Sequence, residues 1–430
     1  MTTSERLFAL EQFGIKLGLD NIRALTAALG HPERAYPTIH VAGTNGKGSV
    51  SAMVERALRA EGYRTGLYTS PHLDRIEERV AIDGIPVEGG AFEACASAVL
   101  DTAARLRASG GLDVSPTFFE ATTALAFEAF RRASVDVAVI EVGLGGRFDA
   151  TNVVEPLVTA VTSIAFDHER HLGHTLAAIA YEKAGIAKAG VPLVVGELPD
   201  EAGRVVQDAA ASVGAPVVSA ARAIERVEMH DGVATVCVRT GPGASQDVTL
   251  ALRGRHQAAN AAVAVSILDT AAAHGLAVRR ASVLTGLSDA RWPGRLEWLD
   301  TGAGRVLIDA AHNPAGAAAL ASYLVDAGVA PLPLVLAMMA DKDVSGMIAP
   351  LAPVASRIVA SEAVSPRALP AGALASRLRE LVPDLPVEIE PDPLRAVRCA
   401  LAGGHAAAGG SMYFTGPLRA RLIKAGAQSI

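Results

Sequence analysis

Residues 38–60 combine three features that fix one local fold: an apolar run (Thr38-Ile39-His40-Val41-Ala42), the loop Gly43-Thr44-Asn45-Gly46-Lys47-Gly48-Ser49, and a helical apolar period over 50–60. A strand that passes to a helix through such a glycine-rich loop gathers backbone N–H groups around an anion, and the helix adds its positive end. Lys47 supplies a point charge and the Ser49 hydroxyl suits Mg²⁺, so the loop predicts an ATP site with Thr44, Asn45, Gly46, Lys47, Gly48 and Ser49 as contacts. The spacing departs from the common G-x-x-x-x-G-K-[ST] loop, because Gly48 stands between Lys47 and Ser49.

The same strand-then-helix rhythm continues. Strand-like runs at 66–69, 135–142, 157–164 and 193–195 are mostly followed by helical segments. In the last third, runs at 306–310, 334–338, 357–361, 387–390 and 411–415 alternate with helix-length segments, which predicts a parallel, doubly wound sheet. Between 224 and 252 the runs shorten and are broken by Asp231-Gly232 and Gly241-Pro242-Gly243, predicting a small antiparallel sheet. A helix is expected over about 256–273. The length of 430 residues suits two domains. We place them at 1–296, which includes the small sheet, and at 297–430, with the linker near 293–302; the alanine tracts 271–273 and 406–408 read as helix or loop filler.

A net charge of -6 gives no general pull toward nucleic acid or an anionic membrane, so phosphate must be captured locally. No apolar run reaches the roughly 18 residues of a membrane helix, and the first ten residues lack a basic segment followed by an apolar core. Cys95, Cys237 and Cys399 are odd in number and widely spaced, which fits a reducing compartment; a cytoplasmic protein is expected.

Further motifs fall at predicted strand ends, where α/β sheets bind ligands. Glu141 closes an apolar strand before Val142-Gly143-Leu144-Gly145-Gly146-Arg147-Phe148-Asp149-Ala150-Thr151-Asn152, and its carboxylate suits a hard cation. Ser163-Ile164-Ala165-Phe166-Asp167-His168 ends the next, ahead of a helix carrying Tyr181-Glu182-Lys183. Gly254-Arg255-His256-Gln257-Ala258-Ala259-Asn260-Ala261, Trp292-Pro293-Gly294-Arg295 and Asp309-Ala310-Ala311-His312-Asn313-Pro314 follow. Taken singly, most of these have bland readings as caps, turns or helix-face residues.

Taken together they resemble one family. The loop Gly43–Ser49 is similar to that of the Mur ligase superfamily, and Tyr68-Thr69-Ser70-Pro71-His72-Leu73 to a loop of the dihydrofolate synthase/folylpolyglutamate synthase family. The resemblance runs in family order from Phe13-Gly14-Ile15-Lys16-Leu17-Gly18-Leu19 to Phe414-Thr415-Gly416. It implies an α/β fold with an N-terminal P-loop ATPase domain and a C-terminal Rossmann-like glutamate ligase domain. It implies an ATP-dependent ligase that adds L-glutamate to dihydropteroate, to the glutamate tail of reduced folates, or to both, and that works as a monomer.

By the same resemblance Ser49, Ser70, Glu141 and His168 hold Mg²⁺, with two sites implied, and Lys183 matches a lysine carried as a carbamate. Asn260 lies near adenine, Asp309 touches nucleotide, and Lys47, Arg295 and His312 meet the transferred phosphoryl group. Thr117, Phe118, Phe119 and Glu120 resemble a segment lining the pterin pocket, where Phe119 would stack on a flat ring. One departure is Glu169-Arg170-His171, where the family often has a small or apolar residue after Asp-His. Two other classes compete. A different Mur-type ligase is opposed by the S-P-H-L and D-A-A-H-N-P blocks, and a regulatory nucleotide-binding module without turnover by the intact Lys47, Glu141, His168 and Lys183.

Overall fold

The computed structural model describes residues 3–10, 18–241, 243–402 and 404–430, so Phe13–Leu17 of the family resemblance lie outside the described residues. The chain forms two compact units: residues up to Ala223 with Ala259–Ala290, and Ile224–Ala258 with Arg291–Ile430. This division groups the small antiparallel sheet with the C-terminal residues, whereas the boundary read from sequence grouped it with the N-terminal ones.

The first unit is built on eight strands, β1 (Thr38–Ala42), β2 (Thr65–Tyr68), β3 (Val80–Ile82), β4 (Ile85–Pro86), β5 (Val137–Glu141), β6 (Val158–Val161), β7 (Leu193–Val195) and β8 (Val217–Ser219). Their order is β4-β3-β2-β5-β1-β6-β7-β8, parallel except at the β3–β4 edge. All residues of β1 and β5 are buried, as expected of parallel strands covered on both faces, which read as unbroken apolar runs. On one face Tyr68, Ala138 and Ile140 pack with Leu125, Phe127 and Phe130 of the helix Phe118–Ala133. On the other, Ala42, Val161 and Leu193 pack with Ile179 and Val206 from the helices Leu176–Ala184 and Asp200–Val213. The helix Lys47–Glu61 follows β1, and Gly62, in the left-handed region at φ 105°, ends it by donating to the carbonyls of Arg59 and Leu58.

In the second unit β9 (Ile224–His230), β10 (Val233–Gly241) and β11 (Ala244–Thr249) form the expected antiparallel sheet. Asp231 and Gly232, at φ 48° and 74°, make its first turn, both with the positive φ that a two-residue hairpin loop demands. The larger sheet contains β12 (Glu297–Asp300), β13 (Arg305–Ile308), β14 (Leu332–Leu336), β15 (Ala355–Ala360), β16 (Val387–Ile389), β17 (His405–Gly409) and β18 (Gln428–Ser429), in the order β16-β15-β14-β17-β13-β12-β18. β12 and β18 are antiparallel additions, and β12 falls within the stretch expected as linker.

One expected strand is corrected. Residues 411–415 begin the helix Met412–Lys424, capped by the Ser411 hydroxyl, and the strand is β17, running through the alanine tract taken for filler. β17 is central: Ala407 joins the core under Leu320 and Leu324, while Ala406 and Ala408 join the opposite one with Val397 and Phe414. Small side chains fit a strand with packed layers on both sides.

Candidate active site

In the first unit the carboxyl ends of β1, β5 and β6 are in register, Val41 beside Glu141 and Ala42 beside Val161, so their three exit loops start together. The phosphate loop is pinned to the β6 exit. Thr44 N–H donates to Ser163 O at 2.7 Å, Asn45 N–H to Ser163 Oγ at 3.0 Å, and the Thr162 hydroxyl to Asn45 O at 2.7 Å. Gly43 and Gly46 have φ 149° and 85°; a Cβ on Gly43 would sit 1.9 Å from Thr162 Oγ1, and one on Gly46 2.2 Å from Asn260 Oδ1. Asn260, on the helix His256–Ala273, is thus placed against this loop.

Two lysines converge on a single carbonyl. Lys47 Nζ donates to Gly43 O at 3.0 Å and to Thr44 O at 3.2 Å, and Lys183 Nζ donates to Gly43 O at 2.9 Å. Lys183 is buried, and burial first, then the charge of Lys47, brings its pKa down to about 7. Asp167, also buried, pulls in the opposite direction.

Glu141 is buried at the end of β5, and the loop after β2 lies alongside, with Ser70 N–H 3.4 Å from Glu141 Oε2. The Ser70 Oγ is buried without a hydrogen-bond partner. A buried hydroxyl oxygen left open beside a carboxylate fits a hard cation, so Ser70 and Glu141 pass the test for a Mg²⁺ site. Ser49 is buried in the first turn of the helix after the loop. His168 stands at φ 51° with its N–H on Asp167 Oδ1 at 2.9 Å, where it starts the short helix Glu169–Leu172. Among the described residues no three His, Cys, Asp or Glu side chains form a metal cage; the expected set contains two such residues, Glu141 and His168, and two serines.

Thr117 and Glu120 form a reciprocal cap of the helix Phe118–Ala133: Glu120 Oε2 accepts from Thr117 N–H at 2.7 Å and from its hydroxyl at 2.9 Å, and Thr117 Oγ1 accepts from Glu120 N–H at 3.2 Å. That is a structural duty which their spacing, T-x-x-E, already signals. Glu120 Oε1, however, is buried and unsatisfied. Phe118 stacks on Phe8 with centroids 5.7 Å apart, while Phe119 lies 6.2 Å from Tyr68 and over Gly143, where a Cβ would come within 2.3 Å of its ring.

In the second unit Asp309, at the end of β13, accepts Leu296 N–H at 2.9 Å through Oδ2 and Ala311 N–H at 2.9 Å through Oδ1. Its carboxylate therefore ties the Arg295 turn to the His312 loop. Ala310 N–H on Gly294 O at 2.9 Å adds a second tie. His312 Nδ1 is 2.9 Å from Ala310 O, so Nδ1–H donates to that carbonyl. Arg419 holds Glu297 bidentately at 2.6 and 2.8 Å, and Glu297 in turn accepts Gly294 N–H at 2.8 Å.

Residues 93–268 match the Mur ligase middle domain and residues 294–417 the Mur ligase glutamate ligase domain. The Mycobacterium tuberculosis dihydrofolate synthase/folylpolyglutamate synthase is 41% identical over 377 residues, which cover 83% of this chain and 76% of that protein. The chain belongs to the dihydrofolate synthase/folylpolyglutamate synthase family of Mur ligases. The Lacticaseibacillus casei folylpolyglutamate synthase is 36% identical, covering 90% and 95% of the two chains. A probable bifunctional folylpolyglutamate synthase/dihydropteroate synthase of Haloferax volcanii is 40% identical, but this chain spans only 42% of its length. Among solved structures, a Mycobacterium tuberculosis folylpolyglutamate synthase complexed with ADP and AMPPCP has a TM-score of 0.89 at 35% identity over 98% of both chains. The Escherichia coli FolC in complex with DHPP and ADP has a TM-score of 0.85 at 30% identity over 99% and 98% of the two chains.

Within this family fold, sequence reasoning passed over several residues that build the site. Thr162 and Ser163 anchor the phosphate loop, and Asp167 was treated only as the neighbour of His168. Asp149, buried with its pKa raised by that burial, caps its own loop by accepting Leu144 N–H at 2.8 Å and Thr151 N–H at 3.0 Å. The D-A-T spacing carried that capping signal; nothing local marked Thr162.

Proposed function

We propose that this protein is an ATP-dependent ligase that joins L-glutamate to dihydropteroate, to the glutamate tail of reduced folates, or to both. The observation that carries this reading is the strand–phosphate loop–helix unit in which Lys47 and Lys183 meet on the Gly43 carbonyl, in the sheet where Ser70 and Glu141 close the neighbouring strand ends. The acceptor carboxylate attacks the γ-phosphorus of ATP and releases ADP. The glutamate amine then attacks the acyl carbon of the resulting acyl phosphate, and the tetrahedral adduct expels phosphate to leave the amide.

In this reading Lys47, Arg295 and His312 oppose the negative charge on the migrating phosphoryl group; a fixed donor aimed at developing charge is worth on the order of 3 kcal/mol. Thr44, Asn45, Gly46, Gly48 and Ser49 cradle the phosphates, Asn260 meets the base, and Asp309 holds the Arg295 and His312 loops. Ser49, Ser70, Glu141 and His168 would hold Mg²⁺, which when bound screens the phosphates and polarises their oxygens. Lys183 as a carbamate would convert a half-neutral buried amine into an anion beside that set. Thr117, Phe118, Phe119 and Glu120 frame the acceptor pocket, and the domain boundary lies at 296/297.

We further infer a cytoplasmic monomer with small-molecule partners only. Cys95, Cys237 and Cys399 are free thiols, and among the described residues no helix is long and apolar enough to cross a membrane. The test is product analysis by mass after incubation with Mg-ATP, L-glutamate and each acceptor in turn. A glutamate increment on dihydropteroate, on tetrahydrofolate or on both assigns the acceptor; an increment on neither, with ATP consumed on another carboxylate, transfers the protein to a different Mur-type reaction.

A further inference from the structure

Arg79 is only 7% exposed. It closes the turn Ile76–Arg79 that leads the chain from the Ser70 loop into β3, and its backbone carbonyl accepts Thr69 N–H at 3.0 Å. Its Nε donates to His72 Nδ1 at 3.0 Å, and its guanidinium lies over the Phe118 ring, 5.2 Å from the centroid. His72 Nδ1 is the acceptor in that bond, so it gives Arg79 no opposing charge.

A buried guanidinium normally meets a carboxylate, since leaving its charge unpaired is costly. Among the described residues none pairs with Arg79. The nearby carboxylate of Glu78 is committed elsewhere: Oε2 accepts Leu73 N–H at 2.7 Å and Asp74 N–H at 3.2 Å, and Oε1 accepts Arg75 N–H at 3.2 Å. Arg79 is thus a fixed cation held between aromatic Phe118 and the Ser70 loop, whose Ser70 N–H reaches Glu141. Those are the acceptor side and the reacting side of the proposed pocket.

We propose that Arg79 is a specificity-determining residue of that pocket, pairing with the α-carboxylate of a glutamyl tail on the acceptor. A glutamylated folate gains an ion pair there; dihydropteroate, whose single carboxylate is the reacting group, does not. The inference rests on the folate reading above and bears on which acceptor is preferred.

Binding without ATP tests it apart from turnover. The probes are tetrahydrofolate, its α-carboxamide and tetrahydropteroate, titrated against the intact protein and against Arg79→Gln and Arg79→Lys. In the unmodified protein the α-carboxamide binds roughly ten- to a hundredfold more weakly than tetrahydrofolate, the range of a charge-assisted pair. Arg79→Gln abolishes that difference and leaves tetrahydropteroate binding within about twofold, and Arg79→Lys keeps part of it. Equal binding of acid and carboxamide to the unmodified protein overturns the proposal without any variant having to fold. So does an undiminished acid-to-carboxamide ratio in Arg79→Gln or, where that variant does not fold, a ratio in Arg79→Lys equal to that of the unmodified protein. Failure of the folate reading itself would show instead as no glutamate increment on any acceptor.

Discussion

At pH 7 about half of Lys183 carries no proton, because burial and the neighbouring Lys47 bring its pKa from 10.5 to about 7. An unperturbed lysine at that pH is neutral in roughly one molecule in three thousand, so the fold raises the reactive amine about a thousandfold. Carbamate formation consumes the amine and CO₂ and releases a proton, so its yield rises as pH climbs through about 7 and levels off above. Two perturbations isolate it: Lys183→Arg, which keeps a permanent cation and offers no amine, and removal of CO₂ from buffer. Carbon NMR of protein in ¹³C-bicarbonate should show a carbamate carbonyl that grows between pH 6 and 8 and is absent in Lys183→Arg. Ligase turnover should fall about a hundredfold in the variant and be restored by bicarbonate in degassed unmodified protein. A carbamate signal that survives Lys183→Arg, or turnover indifferent to bicarbonate at pH 7, would refute the reasoning.

Gly43→Ala places a methyl group against Thr162 Oγ1 and asks an L residue to hold φ 149°, so the loop must shift. We expect ADP affinity by calorimetry to drop at least about tenfold and stability by about 1–3 kcal/mol, and unchanged affinity would contradict the packing argument. His40 is buried with Nε2 2.8 Å from Thr151 Oγ1, and burial lowers its pKa from 6.5 to about 3. The unfolded chain therefore takes up a proton that the folded one refuses; this contribution is fully present above pH 6.5 and is lost as pH falls toward 3, on the order of 5 kcal/mol in all. Urea unfolding from pH 7 to pH 4 should show a shallower loss in His40→Gln, and equal slopes would contradict it.

The N-terminal sheet was legible because its central strands are apolar, β-branched and bounded by glycine loops; β1 and β7 fall where the sequence put them. β17 was not, since alanine carries no strand preference and only the finished sheet, with packed layers above and below, explains it. β12 was hidden for another reason: Glu297 and Trp298 follow a proline-glycine turn that reads as a linker, although they pair with β13 across a short antiparallel hairpin. At the site, motif residues carrying charge were legible, but their supports were not. Thr162 acts through an oxygen that fills the space a Gly43 side chain would need, and Asp309 through two backbone N–H groups, contacts that only tertiary structure creates.

The central claim is that the acceptor carboxylate becomes an acyl phosphate before the amide forms. It is tested most directly by supplying acceptor with ¹⁸O in both oxygens of the reacting carboxylate, together with Mg-ATP and L-glutamate, and weighing the phosphate released. Each turnover should deliver one ¹⁸O atom into phosphate and leave one in the amide. Amide formed alongside unlabelled phosphate would contradict the account.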